Sequence, residues 1–183
     1  DADHSNSVIK DGLNYVSKWL DLSGNNNHAS QSNNGDKPTF TASAQNGKGG
    51  VIFEKGSGTN SGEYLKIEHN DSNSVDNDDF SVFYVVKKND TNLGILLAQG
   101  KAGGTGSNYK NFYHELDQGK LNFYIDDDSS WKGGTFEYDF SDDYHIIYAE
   151  KSGGNLNGFF DGPKDTPKSG FKQPGSSYGT LIP

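Results

Sequence analysis

Residues 120–126 read Lys-Leu-Asn-Phe-Tyr-Ile-Asp, so Leu121, Phe123 and Ile125 alternate with Asn122, Tyr124 and Asp126. A period of two puts one set on each face of a β-strand, with an apolar face to bury and a polar face to solvate. Just upstream, Phe112, His114 and Leu116 alternate in the same way with Tyr113, Glu115 and Asp117. Gln118-Gly119 separates the two runs, which reads as a tight hairpin. A chain built from such pieces folds by stacking sheet faces, and no long stretch with the 3.6-residue period of a helix offers an alternative.

Runs of the same kind recur along the chain, separated by clusters of Gly, Asn, Asp and Ser. Strands are expected at 39–42, 51–54, 64–68, 80–88, 94–99, 112–117, 120–126, 135–138, 144–150 and 156–160. Residues 1–18 read ambiguously, with room for one short helical turn. Gly153-Gly154 marks a second hairpin, and Asn46-Gly47, Gly49-Gly50 and Gly133-Gly134 mark further reversals. Asp161-Gly162-Pro163 closes a strand, since proline cannot donate to a ladder. In 80–88, Phe80, Val82, Tyr84 and Val86 occupy one face and Phe83 and Val85 the other, the pattern of a central strand covered on both sides. Many short strands without crossover helices give an all-β antiparallel fold, a two-sheet sandwich or a barrel, expected here as a single domain over residues 1–183.

Composition narrows the partners. A net charge of -9 opposes phosphate backbones and anionic lipid, so neither nucleic acid nor a membrane surface is the expected partner. No apolar run is long enough to insert in a membrane. All 16 basic residues are Lys, which removes the bidentate guanidinium fork and makes neutral sugar a better ligand than anionic polysaccharide. Only 31% of residues are hydrophobic, but 13% are aromatic, and these supply the large contacts of a core. There is no Cys for a disulfide or a thiolate metal site, and no Met. The chain reads as a mature or excised piece of a longer protein.

Residues 19–29 read Trp19-Leu20-Asp21-Leu22-Ser23-Gly24-Asn25-Asn26-Asn27-His28-Ala29. This resembles the Trp-x-Asp-x-Ser-Gly-Asn-x-Asn-x-Ala opening of laminin-G-like domains in the concanavalin A-like lectin/glucanase superfamily. Pro38-Thr39-Phe40, Val51-Ile52-Phe53, Tyr64-Leu65, the strand from Phe80, and the strand pair from Tyr144 to Phe160 ending in Asp161-Gly162 follow in the order of that family. The resemblance implies a jelly-roll sandwich on a secreted or surface-attached, extracellular protein. It also implies a closing strand after Ile182 that the sequence lacks, so the domain is expected to be truncated or completed by another segment. Within the opening, Trp19 is expected at the sandwich edge, with Asp21, Ser23 and Asn25 satisfying backbone groups of an Asx-type loop.

Glucanases of the superfamily carry Glu-x-Asp-x-Glu or Glu-x-Asp-x-x-Glu on one strand. Here Glu115 and Asp117 share a face, but Gln118-Gly119-Lys120 follows and the third carboxylate is absent. A lyase would draw a base from Tyr113, His114 or Tyr124, but no Arg is present to neutralise a uronate. His4, His28, His69, His114 and His145 show no metal-ligand spacing, and no Gly-x-Ser-x-Gly elbow is present. Asp71, Asp76 and Asp78 lie in the polar stretch 70–79, whose oxygens suit calcium as a candidate cofactor; the spacing matches no EF-hand and also fits a plain solvated loop. The expected role is a non-catalytic carbohydrate-binding or adhesion module that takes a glycan through Tyr113, Glu115, Asn122, Tyr124, Asp126 and Trp131. Trp131 is expected in a polar turn, as a sheet-edge cover or a sugar platform. The alternatives are a structural domain of a virion, fibre or cell-surface assembly with protein partners, and a polysaccharide hydrolase or lyase.

Overall fold

The computed structural model describes residues 2, 6–56, 62–68, 79–88, 94–99, 112–117, 120–126, 131–137, 143–152 and 155–160. The chain is all-β, built of antiparallel sheets, and divides into two compact units, Asp1–Ser74 and Val75–Pro183. Among the described residues no helix is long and apolar enough to cross a membrane.

In the first unit, β1 (Val8–Lys10), β2 (Val16–Trp19), β3 (Ala29–Ser30) and β6 (Lys66–Ile67) form one sheet in the order β1-β2-β3-β6. β4 (Thr39–Gln45) and β5 (Lys48–Ile52) form a hairpin. Backbone bonds tie the two: Val16 N donates to Pro38 O at 2.7 Å and Phe40 N to Asn14 O at 2.9 Å. Val16 and Pro38 are fully buried at this junction. Asn46 (φ 49°) and Gly47 (φ 75°) turn the hairpin, and two successive positive φ values match the right-handed twist of the strands they join. In its described part the ambiguous opening stretch holds β1 and most of β2, joined through a turn closed by Asn14 N donating to Asp11 O at 3.0 Å. Three-residue and four-residue strands leave too few alternations to show a period. Gly49-Gly50 lies inside β5 and reverses nothing.

The second unit holds a four-stranded sheet and a three-stranded sheet. Their strands are β7 (Phe80–Val86), β8 (Gly94–Gln99), β9 (Phe112–Asp117), β10 (Lys120–Asp126), β11 (Trp131–Glu137), β12 (His145–Ser152) and β13 (Asn155–Phe160). The first sheet is ordered β11-β10-β9-β8 and the second β13-β12-β7. Both expected hairpins form: Asp117 pairs with Lys120, and Ser152 with Asn155. β11 runs straight through Gly133-Gly134, so Trp131 begins a strand instead of sitting in a turn.

The two sheets pack face to face as a β-sandwich. Leu116, Leu121 and Ile147 form the buried centre, with Tyr84, Val86 and Leu96 packed against it. The Phe80 and Phe123 rings meet edge-on at 6.1 Å between centroids. The Lys88 ammonium reaches from the end of β7 to the Leu116 carbonyl at 3.3 Å. β7 departs from expectation. Among the described residues it is the outer strand of its sheet, paired with β12, and Phe83 and Val85 are 71% and 73% exposed. A strand apolar on both faces is thus covered here on one face only. Residues 161–183, with Asp161-Gly162-Pro163 and the region of the expected closing strand, lie outside the described residues.

Candidate functional site

The hairpin β9–β10 fixes the register of the site. Tyr113 pairs with Tyr124 and Glu115 with Asn122. On the other side of β10, Trp131 of β11 pairs with Asp126. Directly paired residues share a face of the pleat, and alternate positions return to it. All six expected residues, Tyr113, Glu115, Asn122, Tyr124, Asp126 and Trp131, therefore occupy positions on one face of the four-stranded sheet. The opposite face carries His114, Leu116, Leu121 and Phe123 into the core.

Within this face the Asn122 side-chain amide donates to Glu115 Oε1 at 2.8 Å. Asn122 is only 7% exposed, and Glu115 and Tyr124 are half-buried. A carboxylate held by a buried amide keeps its remaining lone pairs in a fixed direction, which suits it to accept from a neutral hydroxyl. Gly133 pairs with Tyr124, so on the β11 side no side chain flanks that position. Ile95, 53% exposed, pairs with Glu115 from β8. The arrangement brings acceptors and aromatic positions together on one face of the sheet.

His114 does not belong to this face. It is 1% exposed, its ring meets Phe123 at 4.1 Å, and its Nδ1 lies 2.5 Å from the Tyr84 hydroxyl of the other sheet. Burial pulls the imidazole down to about 3 and pushes the Tyr84 phenol well above its ordinary range. The ring is buried on the core side of β9, opposite the face that carries Tyr113 and Glu115, so it is not presented where the expected lyase base would meet a surface substrate. His145 is likewise buried in β12.

The opening loop behaves as an Asx-type structure. The Asp21 carboxylate accepts from Ser23 N at 2.8 Å, Ser23 Oγ at 2.8 Å and Asn27 N at 2.9 Å. The bond from the Ser23 amide, then that from its hydroxyl, holds the Asp21 carboxyl below its usual range. Asp21 N in turn donates to His28 Nδ1 at 3.0 Å. Asn25 takes part through its own N–H, which donates to Ser23 Oγ at 3.2 Å. Trp19 is half-buried in β2, between Val8 of β1 and Ala29 of β3. Asp71, Asp76 and Asp78 lie outside the described residues, as do His4 and His69. Among the described residues no three His, Asp or Glu side chains gather in a way that could hold a metal ion.

Sequence reasoning missed a second group, on the outer face of the three-stranded sheet. Phe83 of β7 and Tyr148 of β12 pair directly, with ring centroids 4.5 Å apart. The Tyr148 hydroxyl donates to Glu150 Oε2 and lies 3.3 Å from Ser81 Oγ. That bond to Glu150 raises the phenol's pKa. The alternation within each strand is visible in the sequence, but the pairing of Phe83 with Tyr148 joins strands more than sixty residues apart. No protein-family model, no curated protein and no solved structure matches the chain.

Proposed function

We propose that the chain is a non-catalytic carbohydrate-binding module of the laminin-G-like, jelly-roll kind, acting outside the cell as part of a larger surface or secreted protein. Its glycan contact is the outer face of β9, β10 and β11. The observation that carries the reading is the register of the β9–β10 hairpin, which sets Tyr113 against Tyr124 and Glu115 against Asn122 on the face turned away from the core. Sugars are recognised by aromatic faces against their C–H surfaces and by amides and carboxylates that bond their hydroxyls. The net charge of -9 and the absence of Arg favour a neutral glycan over an anionic one. A glycan array probed with and without calcium tests the proposal. Binding to neutral glycans that is lost in Tyr124→Ala supports it; no binding to any glycan under either condition overturns it.

A further inference from the structure

The outer face of the three-stranded sheet carries large exposed apolar and aromatic side chains beside polar ones. Directly paired positions form rows across the strands. One row is Phe83–Tyr148, continued by the Phe159 position, which pairs with Tyr148 on β13. The next row is Ser81–Glu150, continued by the Asn157 position. The Phe83–Tyr148 aromatic pair thus lies beside the hydroxyl of Ser81 and the carboxylate of Glu150. On the other side, Val85 and Ile146 pair and extend the apolar floor, 73% and 53% exposed. The described aromatic surface is the Phe83–Tyr148 pair, with ring centroids 4.5 Å apart across two neighbouring strands.

We propose that this face is a second carbohydrate platform, separate from the β9–β11 face, along which a neutral polysaccharide lies across the strands. The class of ligand rests on the reading of the chain as a glycan binder; the location does not. A pyranose ring has an apolar C–H face and a rim of hydroxyls. The Phe83 ring, 71% exposed and set against Tyr148, offers the first a partner. Glu150 and Ser81, one row away, offer the second an acceptor and a donor. Tyr148 is held by its bonds to both, so its ring needs little further ordering when a ligand arrives. Charge selects the occupant: a carboxylate on a face of a chain with net charge -9 accepts from neutral hydroxyls and repels uronates, sulfates and phosphates.

The test is an NMR titration of the isotopically labelled full chain with two neutral probes, cellohexaose and chitohexaose. The expected result with at least one probe is a set of shifts at Ser81, Phe83, Tyr148 and Glu150. Phe83→Ala should weaken that binding about tenfold, and Tyr148→Phe, which keeps the ring and removes the hydroxyl, should weaken it less. Phe83 is largely exposed, so the variant should fold, and its unfolding curve checks this. Shifts confined to β9 and β10 would overturn this platform and leave the first site standing. No shift on β7 or β12 with either probe would also overturn it, whatever the glycan array returns. A dimer in sedimentation that Phe83→Ala dissolves would overturn it in favour of an interface between copies of the chain.

Discussion

The Tyr84–His114 contact makes the sandwich sensitive to acid in a calculable way. In the native chain the His114 imidazole is held neutral, with its pKa pulled from 6.5 to about 3 by burial. In the unfolded chain it returns to about 6.5. Between those values the unfolded state binds one more proton than the native state, so stability rises with pH across that window and falls as pH drops through it. The slope is about 1.4 kcal/mol per pH unit, and the full descent from about pH 6.5 to about pH 3 costs on the order of 5 kcal/mol. That is comparable to the whole stability of many domains. Structure supplies the reason: the ring is 1% exposed, against Phe123 and 2.5 Å from the Tyr84 hydroxyl, where a positive charge would lie out of reach of water. Urea unfolding of the chain and of His114→Gln at half-unit steps from pH 4 to pH 7 measures it. The variant should be less stable at pH 7 but should lose about 1 kcal/mol less per pH unit on acidification. Equal slopes in the two proteins, or an imidazole that titrates near 6.5 in the folded chain, would refute the reasoning.

Further outcomes separate core from surface. Phe123, fully buried against His114 and Phe80, should cost about 3–5 kcal/mol when cut to alanine. The exposed Phe83 should cost under about 1 kcal/mol, and calorimetry distinguishes the two. Gly47→Ala places a side chain at a φ of 75° and should cost about 1 kcal/mol in chemical denaturation, without a change in any distant amide shift. The Asp21 carboxyl should titrate below 3.8 in an NMR series, so its contribution is present above that value and is lost as pH falls through the folded pKa. Asp21→Ala should speed hydrogen exchange at the Ser23 and Asn27 amides it accepts from.

The parts of the fold that were legible in the sequence are those where local pattern and turn chemistry agree. β8, β9 and β10 fall on their expected bounds, because an apolar run in β8 and a clear alternation in β9 and β10 each end at a turn or loop signal. The register of the candidate face followed from the same agreement: once Asp117 pairs with Lys120, Tyr113 must meet Tyr124. Short strands such as β1 and β3 were not legible, since two or three residues cannot display a period. Gly133-Gly134 misled because glycine signals a turn, whereas here it lies in a strand whose pairing with β10 fixes its backbone. His114 alternated correctly with Tyr113 and Glu115, but its partner on β7 is set by how the sheets stack, which no local pattern encodes. The same non-local pairing hid the Phe83–Tyr148 row.

The central claim is that the β9–β11 face takes a neutral glycan through the residues the hairpin brings together. The most direct test is an isotherm for the strongest neutral ligand from the array, measured on the chain, on Tyr124→Ala and on Glu115→Gln. The account predicts affinity lowered roughly tenfold by Tyr124→Ala and several-fold by Glu115→Gln, with unchanged unfolding midpoints. Unaltered affinity in both variants, with both folded, would contradict it.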